Sequence, residues 1–168
     1  MRNNVVRDQH GWGIVASGSS TMHAVNNVVV RNGTTGMAAW NSAAKGSFLN
    51  NIVSGNGVAA KEWVGKKTGM WLNASAVNFK VAYNLVHGNK DHDVCNGGTP
   101  EGTPCKPLAF DGVNGNLSQS PQLAGTDDFQ LQGGSPAIDA GDPAIKDKDG
   151  SRSDLGVFGG PDAPKAFP

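Results

Sequence analysis

The densest group of side chains able to ligate a metal or move protons is the run His87-Gly88-Asn89-Lys90-Asp91-His92-Asp93. His87, Asp91, His92 and Asp93 offer imidazole nitrogens and carboxylates, the donors of a metal site or an acid–base pair. The plain alternative is a polar loop. A second group, Asp147-x-Asp149-Gly150-Ser151-x-x-Asp154, spaces oxygen ligands along a glycine-containing loop, as a hard cation such as Ca2+ requires. It departs from an EF-hand, because Gly follows the second Asp at once and no Glu closes the loop. Asx turns, with Asp149 or Asp154 paired to Arg152, are the competing reading. Cys95 and Cys105, ten residues apart, suit either a disulfide that pins a loop or two unpaired thiols. Without a second Cys pair or a suitably spaced His they do not make a zinc site. Trp12, Trp40 and Trp71 would stack on sugar rings if exposed and fill the interior if buried.

These groups need elements to position them, and a repeat supplies the elements. Asn3-Asn4-Val5-Val6 recurs as Asn26-Asn27-Val28-Val29, as Asn50-Asn51-Ile52-Val53 and, degenerately, as Tyr83-Asn84-Leu85-Val86. The second Asn steps by 23, 24 and 33 residues. Gly13-Ile14, Gly36-Met37 and Gly69-Met70 follow at 9, 9 and 18 residues, so an insertion of about nine residues, near 59–67, explains the long step. Its Ala59-Ala60-Lys61-Glu62-Trp63-Val64 is the one stretch with helical character. Asn32-Gly33, Asn56-Gly57 and Gly88-Asn89 form a third echo. Trp12, Trp40 and Trp71 fall 8, 13 and, with the insertion removed, about 11 residues after their Asn, on one side of the stack.

A period near 23 with Asn, Gly and β-branched residues in phase predicts a parallel β-solenoid whose stacked coils share one core. Leu49, Asn51 and Val53 alternate and are expected on the inward face. Stacked Asn27, Asn51 and Asn84 would then pass amide hydrogen bonds from coil to coil, unless they are exposed turn formers. Composition agrees: 24 Gly, 9 Pro, 16 Asn and 16 Val stand against 8 Leu and 4 Ile, a mixture of short strands and turns. It has too few Leu for leucine-rich repeats. No apolar run is long enough to span a membrane.

The C-terminal third carries a resemblance. Asn116-Leu117-Ser118-Gln119-Ser120-Pro121-Gln122-Leu123 leads through Asp128-Phe129-Gln130-Leu131 to Gly134-Ser135-Pro136-Ala137-Ile138-Asp139-Ala140-Gly141-Asp142-Pro143. Asp147-Lys148-Asp149-Gly150-Ser151-Arg152 and Asp154-Leu155-Gly156-Val157-Phe158-Gly159-Gly160 follow. With the repeats, this succession resembles the right-handed parallel β-helix proteins of the pectate-lyase-like superfamily, many of them secreted or surface-anchored. The resemblance implies an all-β, right-handed parallel β-helix of about four coils with an irregular C-terminal tail. Residues 1–94 would be coils, 95–115 a loop pinned by the Cys pair, and 116–168 the final coil and tail of the same domain. Fold does not fix function.

It also implies an extracellular or cell-surface protein that interacts with polysaccharide, although the chain itself shows no signal peptide. An alternative is a lyase acting on an acidic glycan, with Ca2+ held by carboxylates and Lys or Arg as base. Arg7, Arg31, Lys45, Lys61, Lys66, Lys67 and Lys80 match no catalytic motif of that superfamily, and Asp8 and Glu62 are the only acids among the repeats. Another alternative is a structural or adhesive solenoid that self-associates at an open N-terminal end. Fourteen basic and fourteen acidic residues balance to zero, which argues against a globally basic nucleic-acid binder. That zero is a cancellation, since residues 1–90 hold nine basic against two acidic groups and residues 91–168 five against twelve. The split predicts an anionic glycan on the repeats or an acidic tail folded against them.

Overall fold

The structure, a computed structural model, describes residues 1–58, 66–75, 77–99 and 103–166. Short strands follow one another in threes. The first three are β1 (Val5–Arg7), β2 (Ile14–Ala16) and β3 (Thr21–Val25). Next come β4 (Val28–Val30), β5 (Met37–Ala39) and β6 (Lys45–Leu49), then β7 (Ile52–Ser54), β8 (Thr68–Leu72) and β9 (Phe79–Ala82). A last set holds β10 (Leu85–His87), β11 (His92–Asn96) and the short β12 (Lys106–Pro107), before a 3-10 turn at Val113–Gly115. Every third strand pairs in parallel. The first sheet runs β1-β4-β7-β10, the second β2-β5-β8-β11 with β12 antiparallel on β11, and the third β3-β6-β9. The chain is therefore all-β, and no α-helix occurs among the described residues. The helical stretch expected at 59–64, and most of the insertion, lie outside those residues.

Pairing register and sequence repeat coincide. Val5, Val28, Ile52 and Leu85 are successive partners in the first sheet, and Ile14, Met37, Met70 and Val94 in the second. The inward residues of all three sheets, including Val29, Phe48, Val53, Met70 and Val86, pack into one core. Gly13 and Gly36 precede β2 and β5, and Gly69 sits early in β8, because a side chain does not fit at any of the three. A Cβ on Gly36 would lie 2.7 Å from Asn56 Nδ2 and from Val53 Cγ1. Gly36→Ala is therefore expected to cost about 1–3 kcal/mol as overpacking, read as a lower urea midpoint. Gly133→Ala, with open space around it, should leave the midpoint nearly unchanged.

The two Asn of each repeat perform different tasks. The second builds an interior row: Asn4, Asn27, Asn51 and Asn84 each donate from Nδ2 to the Oδ1 of the next, ending on Asn116, at 3.0, 2.9, 2.9 and 3.1 Å. The backbone N–H of each donor residue also bonds that oxygen. A second row runs Asn32, Asn56, Asn89 and ends on the Asp93 carboxylate. A carboxylate suits that last position because it only accepts. The first Asn of each pair adopts the left-handed conformation, with φ of 50° at Asn3, 54° at Asn26 and 56° at Asn50, and Tyr83 at 53° takes the fourth place. This turn resets the pleat. Phe48 and Val53 therefore face the core, whereas Leu49 is only half-buried and joins no core cluster. The expected Leu49–Asn51–Val53 alternation is corrected on that ground.

Those left-handed residues hold the tail. Asn3 Nδ2 donates to Val157 O and Gly159 O, Asn26 Nδ2 to Asp154 O, and Asp142 N donates to Asn50 Oδ1. Tyr83 packs under the Arg152 guanidinium, 5.6 Å from its ring. Residues 117–163 thus lie across the outer face of the first sheet, where Val28, Ile52 and Leu85 meet Phe129, Leu155 and Val157 in a second core. Four acid–base contacts join tail and repeats: Asp127 with Arg7 and Arg31, Asp142 with Lys80, Asp162 with Arg2. Most of these groups are solvent-exposed, and such pairs contribute at most about 1 kcal/mol each. A buried Leu or Phe contributes about 2 kcal/mol, so apolar burial dominates the docking.

Candidate functional site

The outer face of the second sheet carries the aromatic residues. Trp71, in the middle of β8, is wholly buried and donates Nε1–H to Gly97 O at 2.8 Å. Trp12 enters β2 and Trp40 leaves β5, so both lie beside it. The ring centroids are 4.9 Å apart for Trp12 and Trp40, 5.8 Å for Trp12 and Trp71, and 6.1 Å for Trp40 and Trp71. Trp12 and Trp40 are half-buried. Trp71 thus underlies the patch and offers no ring to a sugar, so its expected role as a binding ring is corrected to support. Cys95 and Cys105 form a disulfide with 5.7 Å between their Cα atoms. It packs against Trp71 and Ala38 and ties β12 to the edge of β11.

The residues from His87 to Asp93 are not drawn together. His87 Nδ1 contacts Ser118 O at 3.2 Å, Asp93 Oδ1 accepts from Asn89 N and Nδ2, and Asp91 is exposed. The backbone oxygen of His92 accepts from Thr68 Oγ1 at 2.6 Å. The carboxylates of the Asp147–Asp154 loop are taken up by backbone N–H groups within and beside the loop and by the Ser151 hydroxyl. Asp147 accepts from Asp154 N and Gly160 N, Asp149 from Ser151 N and Oγ, and Asp154 from Asp139 N. Among the described residues no group of three His, Cys, Asp or Glu is gathered in a metal-holding arrangement. No helix among them is long and apolar enough to cross a membrane. His23 and Ser47, one 24-residue step apart, do meet: Nδ1 and Oγ are 2.9 Å apart across β3 and β6. The repeat step is the signal that would have found them. Ser47 is only 6% exposed, which makes this a cross-strand contact.

Burial, opposed by the Asp139 N–H and reinforced by the charges of Asp147, Asp139 and Asp149, raises the Asp154 carboxyl above its ordinary value. The folded chain therefore holds this proton more firmly than the unfolded chain does. Stability linked to it is present at low pH and is lost as pH rises through the folded-state value. Asp154→Asn keeps the acceptor for Asp139 and removes the charge. The variant should melt slightly above wild type at pH 7, and the difference should shrink on acidification, as thermal unfolding from pH 3 to 7 will read. At Asp8 the Arg31 hydrogen bond holds the carboxyl below its usual range, which gives the opposite dependence.

No protein-family model, curated protein or solved structure matches this chain.

Proposed function

We propose that the chain is a right-handed parallel β-helix of the pectate-lyase-like kind, exported from the cell, and that it binds polysaccharide through Trp12 and Trp40. The observation that carries the binding reading is the close Trp12–Trp40 pair, 4.9 Å between centroids, fixed from below by buried Trp71. Indole faces stack on the C–H faces of sugar rings, and rings held rigid lose little entropy on binding. The every-third-strand pairing and the two buried Asn rows support the fold reading. The disulfide supports an oxidising compartment.

Native affinity electrophoresis against neutral and acidic polysaccharides tests the proposal. At least one glycan should retard the chain. Trp12→Ala or Trp40→Ala should each lose about 1–1.5 kcal/mol of binding, roughly tenfold in Kd, without unfolding. Unchanged mobility across the whole panel would sink the proposal.

A further inference from the structure

The three sheets do not end alike where the repeats stop. The first is continued by a parallel bridge from Leu85 to Leu117, and the second by β12 on β11. No strand covers β9, the last strand of the third sheet, among the described residues. Gly46 N donates to Asn78 O, so by strand alternation the groups of Asn78, Lys80 and Ala82 face β6 and those of Phe79, Val81 and Tyr83 face the open edge. That edge is engaged at both ends. Phe79 N donates to Ser75 O at 3.0 Å and Tyr83 N to Asn114 O at 3.1 Å. Between them, Phe79 O and Val81 N–H meet no hydrogen-bond partner among the described residues.

A groove of about 340 Å3 opens at this place, near the lower end for small-molecule sites. Leu72, Ala74 and Leu108 form apolar walls, and Asn96 and Asn114 supply polar groups. Among the described residues Lys80 is the one charged residue lining it, and its ammonium lies 3.5 Å from Asp142, so the described lining presents no unpaired charge. Ala39, a member of the interior core, also lines it, so the groove opens on the core side of the second sheet, whereas Trp40 packs on the outer side.

We propose that this groove binds one neutral sugar unit, an inference that rests on the polysaccharide reading. A pyranose hydroxyl both donates and accepts, so neighbouring hydroxyls satisfy Phe79 O and Val81 N–H together. The sugar C–H face lies on Leu72 and Leu108. A peptide strand is disfavoured because both ends are engaged and Val81 O accepts from Asn116 Nδ2 at 3.4 Å, which leaves two edge groups to pair among the described residues. An acidic sugar is disfavoured because its carboxylate meets no unpaired cation among the described residues.

Amide NMR of the full chain, titrated with the methyl glycosides of glucose, galactose and mannose and separately with galacturonate, tests this. At least one neutral glycoside should shift the Val81 amide and the Asn96 and Asn114 side-chain amides. Leu108→Trp or Ala74→Met, each filling the groove, should weaken that effect at least tenfold, while Trp12→Ala leaves it intact. The proposal is overturned if no neutral glycoside moves the Val81 amide, if galacturonate moves it equally, or if both groove-filling variants bind as wild type. Loss of polysaccharide retardation in Trp12→Ala, with Val81 silent to every glycoside, would remove the groove and leave the aromatic reading standing. A Val81 shift by a neutral glycoside, in a chain that no polysaccharide retards, would keep the groove and remove the aromatic reading.

Discussion

Asn51→Ala should unfold the protein or bring it close to unfolding. Asn51 Oδ1 accepts from Asn27 N and Nδ2 at 3.0 and 2.9 Å, and its Nδ2 donates to Ala24 O and Asn84 Oδ1 at 3.0 and 2.9 Å. Every one of these groups is buried, so truncation leaves polar atoms with neither protein nor water. Each orphaned group costs about 1–3 kcal/mol. Two or three of them reach roughly 4 kcal/mol, against a typical total stability of about 5–15 kcal/mol. Asn51→Asp should be no milder, because a carboxylate keeps the acceptor but loses both donors inside the row. Asp93 tolerates the carboxylate only because its row ends there. Urea unfolding followed by circular dichroism gives the comparison. A loss below about 1 kcal/mol would mean that water reaches the row.

Trp71→Ala should have an effect of similar size for a different reason. The indole is fully buried between Ala38, the disulfide and the two outer tryptophans. Emptying such a site costs about 3–5 kcal/mol, set by how little the surroundings collapse. It also leaves Gly97 O without its donor at 2.8 Å. Trp12→Ala and Trp40→Ala remove half-exposed rings and should cost far less stability, which separates support from binding. A Trp71→Ala midpoint matching those of the other two variants would contradict the buried placement.

The stacking was legible because each repeat must bury the same groups at the same step. The Asn-Asn-Val-Val copies and the Gly-Ile and Gly-Met markers fall in the observed registers of the first and second sheets. The row was expected only as far as Asn84; its last rung, Asn116, has a signal of its own, since Asn116-Leu117 echoes Asn84-Leu85 and Leu117 bridges Leu85. The division of labour within each Asn pair was not, because a left-handed φ at Asn50 leaves no mark on polarity patterns. Charge directed attention to an electrostatic tail, whereas Phe129, Leu155 and Val157 do most of the docking. The unbroken Val28-Val29-Val30 carried that cue, since a strand buried on both faces does not alternate. At the candidate site, proximity of Trp12, Trp40 and Trp71 followed from their repeat phase. Their unequal burial depended on the disulfide loop packing over Trp71, which no local pattern encodes.

Binding at Trp12 and Trp40 is tested most directly by the indole N–H resonances of the full chain during titration with the most retarding polysaccharide. Trp→Phe variants assign each signal. The account predicts that the Trp12 and Trp40 indole signals shift together with a common Kd while that of buried Trp71 moves least. Indole signals that stay in place across the titration, or a response confined to Trp71, would contradict it.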